Sequence, residues 1–205
     1  MKKFTRYVLV AAGLAVSTLA VPSWADTLNF DDLPRRADHE TPALGSYHGF
    51  DWDNWYYVTA APFINSGYYE GTVSGPNASW GTTSSFRSAS SFNLLDLQLT
   101  SAWNDGLMVS FVGSANGIDL FSKTVLASST APSLVSFDWM GIDRVRVVSS
   151  GGIRNPNYGG EGTQFVVDDI RFTSAVPETE SYWLLLLGLV AIGLLRWRKH
   201  FQRKD

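Results

Sequence analysis

The sequence predicts an all-β domain, an antiparallel two-sheet sandwich, and three observations carry that expectation. Between residues 26 and 174 no helical period persists, while Gly, Ser, Thr, Asn and Pro recur between short apolar runs. Several of those runs alternate apolar and polar residues, the mark of a strand with one buried and one wet face. The chain has no cysteine, so neither disulfides nor thiolate-bound metal can stabilise it. A hydrophobic core must therefore do so, and a region of about 150 residues is long enough to build one.

Candidate strands fall at 28–32, 56–59, 92–103, 107–113, 118–125, 134–137, 142–148 and 164–172. In the third, Leu95, Leu97 and Leu99 alternate with Asp96, Gln98 and Thr100, and Leu107, Val109 and Phe111 form a second apolar face. Asn104-Asp105-Gly106 and Asn116-Gly117 read as hairpin turns, because Asn and Gly tolerate positive φ. Three consecutive strands joined by such turns predict an antiparallel meander. Evenly spaced short strands suggest a jelly-roll-like sandwich, with a closed barrel as the alternative. The serine-rich stretch 84–91 reads as a loop. Residues 149–162, with Asn155-Pro156-Asn157, read as a long surface loop before the last strand.

The two ends differ from the middle. Lys2, Lys3 and Arg6 precede an apolar stretch, residues 7–21, and Ser23-Trp24-Ala25 offers a small-x-small cleavage site before Asp26. That is the pattern of a secretory signal peptide over residues 1–25, cut between Ala25 and Asp26. At the other end, residues 182–195 are fourteen uncharged residues, seven of them Leu, followed by Arg196-Trp197-Arg198-Lys199. The apolar stretch alone would cover about 21 Å of a roughly 30 Å hydrocarbon core, so a transmembrane helix over 182–197 is expected only with Ser181 included, Arg196 and Arg198 snorkelling, and Trp183 and Trp197 at the interfaces. From 26 to 176 there are 8 Lys and Arg against 16 Asp and Glu, a net charge of −8. The remaining basic residues flank the apolar ends, so both ends point to the cytoplasm and the middle lies outside. An acidic middle excludes a nucleic-acid partner, whose phosphates demand a basic face.

The C-terminal segment 176–205 places Val176-Pro177-Glu178, the apolar stretch and the basic cluster in one fixed order. It resembles the PEP-CTERM sorting signal of Gram-negative bacteria, with Thr179 where a second Pro is usual. The resemblance covers only these thirty residues. It implies transient inner-membrane anchoring after passage through the secretion translocon and cutting by signal peptidase. An exosortase-type membrane protease would then remove the tail, and the exported domain (26–175) would reach the cell surface or matrix in association with exopolysaccharide and biofilm. An ordinary, uncleaved single-pass anchor is the competing reading.

Two constellations could carry chemistry. Residues 47–69 hold nine aromatics interleaved with Asp51, Asp53, Asn54 and Asn65. Ring faces pack on the apolar face of a pyranose while carboxylates take its hydroxyls, so Trp52, Trp55, Tyr56 and Asp53 are candidate glycan contacts. The alternative is that these rings are core. The second constellation pairs Asp31-Asp32 near the start with Asp168-Asp169 near the end. In jelly-roll carbohydrate-binding modules the first and last strands are neighbours, and an Asp from each can hold a structural calcium. This chain is similar in carrying an Asp pair in both strands, which would supply hard oxygen ligands. Solvated strand-end carboxylates are the other reading.

Catalytic motifs are missing: His39 and His48 lack metal-ligand spacing, and no nucleophile elbow or phosphate loop occurs. The function classes left open are a non-enzymatic surface protein that contacts polysaccharide, a secreted glycan-active hydrolase, and a purely structural matrix protein.

Overall fold

A computed structural model describes residues 25–174, together with Gly188 and Val190. Its elements are β1 (Asp26–Leu28), β2 (Ser46–Tyr47), β3 (Phe50–Asp53), β4 (Tyr56–Thr59), a 3-10 turn (Ala61–Phe63), α1 (Gly67–Glu70) and β5 (Asn77–Gly81). They continue as β6 (Thr83–Ser101), β7 (Asn104–Asp105), β8 (Leu107–Ala115), β9 (Ile118–Ala127), β10 (Ser133–Ser150), β11 (Ile153–Arg154) and β12 (Phe165–Ser174). Every strand pairing is antiparallel.

Ten strands form one hydrogen-bonded sheet, and its two longest members fold it into two layers. The first half of β6 pairs with β3 on one side and with the second half of β10 on the other. The second half of β6 pairs with β12 and with the first half of β10. Layer one is therefore β2-β3-β6-β10-β8-β9, and layer two is β10-β6-β12-β5-β4, with β1 beside β12. The crossing requires the ladder to break. Between Phe92↔Ile142 and Arg87↔Arg144 four residues of β6 oppose a single residue of β10, and Asp138 (φ 53°) and Gly141 (φ 69°) take the left-handed backbone such bulges need.

The core lies between the layers. Leu94, Leu97, Leu99, Val109, Phe111, Ile142, Val145, Val147, Phe165, Val167 and Ile170 are each at most 1 % exposed. Burying a side chain of this kind contributes about 1.5–3 kcal/mol. A second, smaller cluster covers the outer face of layer two, with Val58, Tyr68, Ala78, Ala102 and Val166 under Phe63, Trp80 and Trp103.

Four expectations need correcting. The serine-rich stretch 84–91 is strand, because Phe86 faces the core and the small hydroxyls fit beside it. Leu95 is only half-buried whereas Leu94 and Leu97 are core; a bulge at 95–96 breaks the simple alternation and buries Asp96. No three-strand meander forms, since β10 inserts between β6 and β8 and leaves β8–β9 as the hairpin. The stretches at 134–137 and 142–148 are one bent strand. The Asn116-Gly117 turn is present as expected, with φ values of 51° and 79°.

Candidate polysaccharide-binding face

The two tryptophan candidates lie in the core. Trp52 is 6 % and Trp55 is 1 % exposed. Trp52 stacks on Phe86 at 4.8 Å, meets Trp55 edge-on at 5.2 Å, and donates its indole N–H to Tyr47 O at 3.1 Å. The reason is the period of a strand: in β3, Phe50 and Trp52 point inward while Asp51 and Asp53 point outward. The polar neighbours that suggested an exposed tryptophan lie on the opposite face. Asp53 is exposed, and Tyr56 is half-buried, stacked on Trp80 at 4.7 Å.

The aspartate pairs do approach one another, since β1 pairs with β12, and each carboxylate has hydrogen-bond partners within the chain. Both flank the loop 73–77, which supplies their partners. Asp168 is fully buried, and its Oδ2 accepts the backbone N–H groups of Val73 and Ser74 at 2.8 and 3.0 Å. Its Oδ1 accepts the Asp169 N–H at 2.8 Å, and Asp169 Oδ1 accepts the Ser74 hydroxyl at 2.8 Å. Burial pushes the Asp168 carboxyl up to about 7, opposed by those backbone donors. Asp31 Oδ1 takes the Asn77 N–H at 3.4 Å and lies against Gly75, whose φ of 47° and lack of a side chain make room for it. Asp32 turns elsewhere, to Tyr47 OH and to His48 Nε2 at 2.8 Å, and the His48 hydrogen bond holds its carboxyl below the usual range. The carboxylates expected to hold calcium are thus partnered by backbone N–H groups, two hydroxyls and an imidazole. Among the described residues no three carboxylate or imidazole groups converge on a point that could hold a metal ion.

A polar concavity lies on the outer face of layer one, formed by residues that no motif of the sequence singled out. Cross-strand register lines up Asp51, Arg87, Arg144, Ser114 and Asp119 across β3, β6, β10, β8 and β9. Arg146 stands two residues from Arg144 on the same face. With Ser88, Gly117 and Asp143, the residues from Arg87 to Asp119 line a cleft of about 330 Å³ beside the β6–β10 bulge. Arg146 Nη2 donates to both Asp119 oxygens at 2.9 and 2.7 Å, and Arg87 meets Asp51 at 3.4 Å. The signal was present in Asp143-Arg144-Val145-Arg146-Val147, which alternates like any half-buried strand. Its cross-strand neighbours could not be read, because they lie about 25 to 60 residues away in sequence. Such a surface, with donors and acceptors held on rigid strands, can satisfy several hydroxyl groups at once. A second, more apolar cleft of about 460 Å³ is lined by Arg35, Arg36, Ala60, Tyr69 and Pro76.

The expected cleavage point between Ala25 and Asp26 falls immediately before β1. The motif Val176-Pro177-Glu178 and the expected helix over 182–197 lie outside the described residues, apart from Gly188 and Val190. Among the described residues no helix is long and apolar enough to cross a membrane.

No family model matches the chain, and comparison with curated proteins finds no match either. Three solved structures are similar in part. One is TmCBM61 in complex with β-1,4-galactotriose, at 13 % identity over 64 % of this chain and 92 % of that one, with a TM-score of 0.38. Another is a DUF4465 family protein from Bacteroides ovatus, at 9 % identity over 77 % and 92 %, with a TM-score of 0.44. The third is the carbohydrate-binding module CBM6cm-2 from Cellvibrio mixtus lichenase 5A in complex with cellotriose, at 14 % identity over 58 % and 97 %, with a TM-score of 0.24.

Proposed function

We propose that this chain is an exported, non-enzymatic protein of the cell surface or extracellular matrix, delivered by a PEP-CTERM-type signal and retaining extracellular polysaccharide through the layer-one cleft. Delivery rests on the two charged-and-apolar termini around an acidic domain. The molecular role rests on one observation, an open concave sheet face whose arginines, aspartates and serines offer paired donors and acceptors for sugar hydroxyls. Partners on this reading are the secretion translocon, signal peptidase, an exosortase-type protease and the polysaccharide itself. A hydrolase is the weaker reading, since it needs an accessible carboxyl held protonated near neutral pH. Asp168, the carboxyl that burial raises to about 7, is sealed from solvent.

A purely structural matrix role has one feature in its favour. The edge strand β9 exposes Ile118, Leu120 and Leu126 at 66, 50 and 71 %.

Intact mass and cell fractionation of the wild type and of a Pro177→Ala, Glu178→Ala variant test delivery. The wild type should leave the inner membrane without residues 182–205, and the variant should stay. A wild type that keeps its tail in the inner membrane sinks the sorting reading. For the role, affinity electrophoresis of the mature protein through polysaccharide gels should show retardation that an Arg144→Gln, Arg146→Gln variant loses. Equal mobility of the two proteins excludes the cleft.

A further inference from the structure

The cleft carries a charge arrangement that neutral sugar alone does not explain. Arg87 and Arg144 are direct cross-strand partners, and Arg146 follows on the same face of β10. Like charges directly opposite one another on a sheet are unfavourable. The whole region 26–176 has eight basic residues against sixteen acidic, yet three of the eight converge here. Two of the three are neutralised, Arg87 by Asp51 and Arg146 by Asp119. Asp143 is engaged by the Asn116 N–H at 2.7 Å, at the β8–β9 turn. Arg144 has no carboxylate within ion-pair distance among the described residues. Its side chain makes one hydrogen bond, from Nη2 to Ser85 Oγ at 3.3 Å, and its Nε is buried without a partner. A partly desolvated guanidinium, flanked by two others and lacking its own anion, breaks the local rules of a stable sheet. Such breaks mark functional sites.

Resting on the polysaccharide reading of this same cleft, we propose that its ligand is an acidic polysaccharide, and that Arg144 receives the carboxylate of a uronate residue. A planar carboxylate matches the guanidinium fork, which an ammonium could not reproduce. The ring hydroxyls beside that carboxylate meet Ser88, Ser114 and the flanking Asp119 and Asp143. The net charge of −8 over the whole region 26–176 favours a ligand of low charge density. A uronate chain carries at most one charge per sugar, and a nucleic acid one per 1.7 Å of duplex.

The test is titration calorimetry on the mature protein with oligogalacturonate, the same oligosaccharide after methyl-esterification, and cellohexaose. Oligomannuronate serves as a second acidic probe. At least one uronate should bind, at least tenfold more tightly than the ester, with affinity that weakens as salt rises. Arg144→Gln should lose at least tenfold of that affinity while its melting temperature stays level or rises. A structural ion-pair residue would instead lose stability. Arg87→Gln is the second variant, with a smaller loss. Equal affinity for ester and acid, preference for cellohexaose, or an Arg144→Gln protein that binds uronate unchanged overturns the inference while leaving glycan binding intact. If no oligosaccharide of either kind binds, both this inference and the polysaccharide reading fall.

Discussion

The two outer faces of the sandwich have opposite fates. On layer two the face is covered: Val58, Ala78, Ala102 and Val166 lie beneath the segment containing the 3-10 turn and α1, with Tyr68 pressed among Phe63, Trp80 and Trp103. On layer one the same surface is bare and bears Asp51, Arg87, Arg144, Arg146 and Asp119. Burial along the strands separates the cases. Residues 165–168 of β12 are buried at four successive positions, whereas 145–149 of β10 alternate. A strand buried on both sides reads as a continuous apolar run, and one that faces water reads as alternation. On the proposed reading the difference matters, because only an open face can meet a polymer.

Substitutions on the two sides should therefore act in opposite ways. The largest effect belongs to the core shared by both layers: Trp55→Ala should cost about 3–5 kcal/mol, and Trp52→Ala a similar amount. Urea unfolding of each variant reads it, and a loss below about 1 kcal/mol would mean these rings are surface contacts after all. On the covered side, Asp168→Ala strands the Val73 and Ser74 N–H groups and should cost about 2–4 kcal/mol.

The same residue sets a pH dependence. Its carboxyl titrates near 7 when folded and at about the ordinary 3.8 when unfolded, so its contribution is complete below the lower value. It is lost as pH rises through the higher one. Thermal midpoints should fall from pH 4 to pH 8, and Asp168→Asn should flatten that component. A midpoint that does not respond to the substitution contradicts the assignment.

On the open side the effects on folding are small. Arg144→Gln should leave the melting temperature level or raise it by a few degrees, since it removes a like-charge pair. Smallest of all is the Arg146–Asp119 pair, whose side chains are 47 and 54 % exposed. A double-mutant cycle there should give a coupling of at most about 1 kcal/mol, falling with salt.

The particular elements show how far the residues alone could be read. Asn116-Gly117 adopts its turn because positive φ is a local property of those two side chains. The strands at 56–59 and 107–113 were visible for a similar reason, being short and regular. Trp52 was misjudged although its own neighbours held the answer, because period two sends Asp51 and Asp53 to the far face. The stretch 84–91 looked like loop because serine is common in loops, and only its pairing with β3 and β10 makes it strand. The aspartates at both ends were seen as a pair, but the loop 73–77 that satisfies most of them lies between them in the chain.

What the sequence determined by itself was the all-β class, the Asn116-Gly117 turn and the charge asymmetry. Each of these depends on properties that a residue carries alone or shares with near neighbours. The tertiary structure decided which faces are covered, that one sheet folds into two layers through β6 and β10, and that three arginines meet in a cleft. Those outcomes depend on long-range pairing, where backbone register brings together side chains that no local pattern relates.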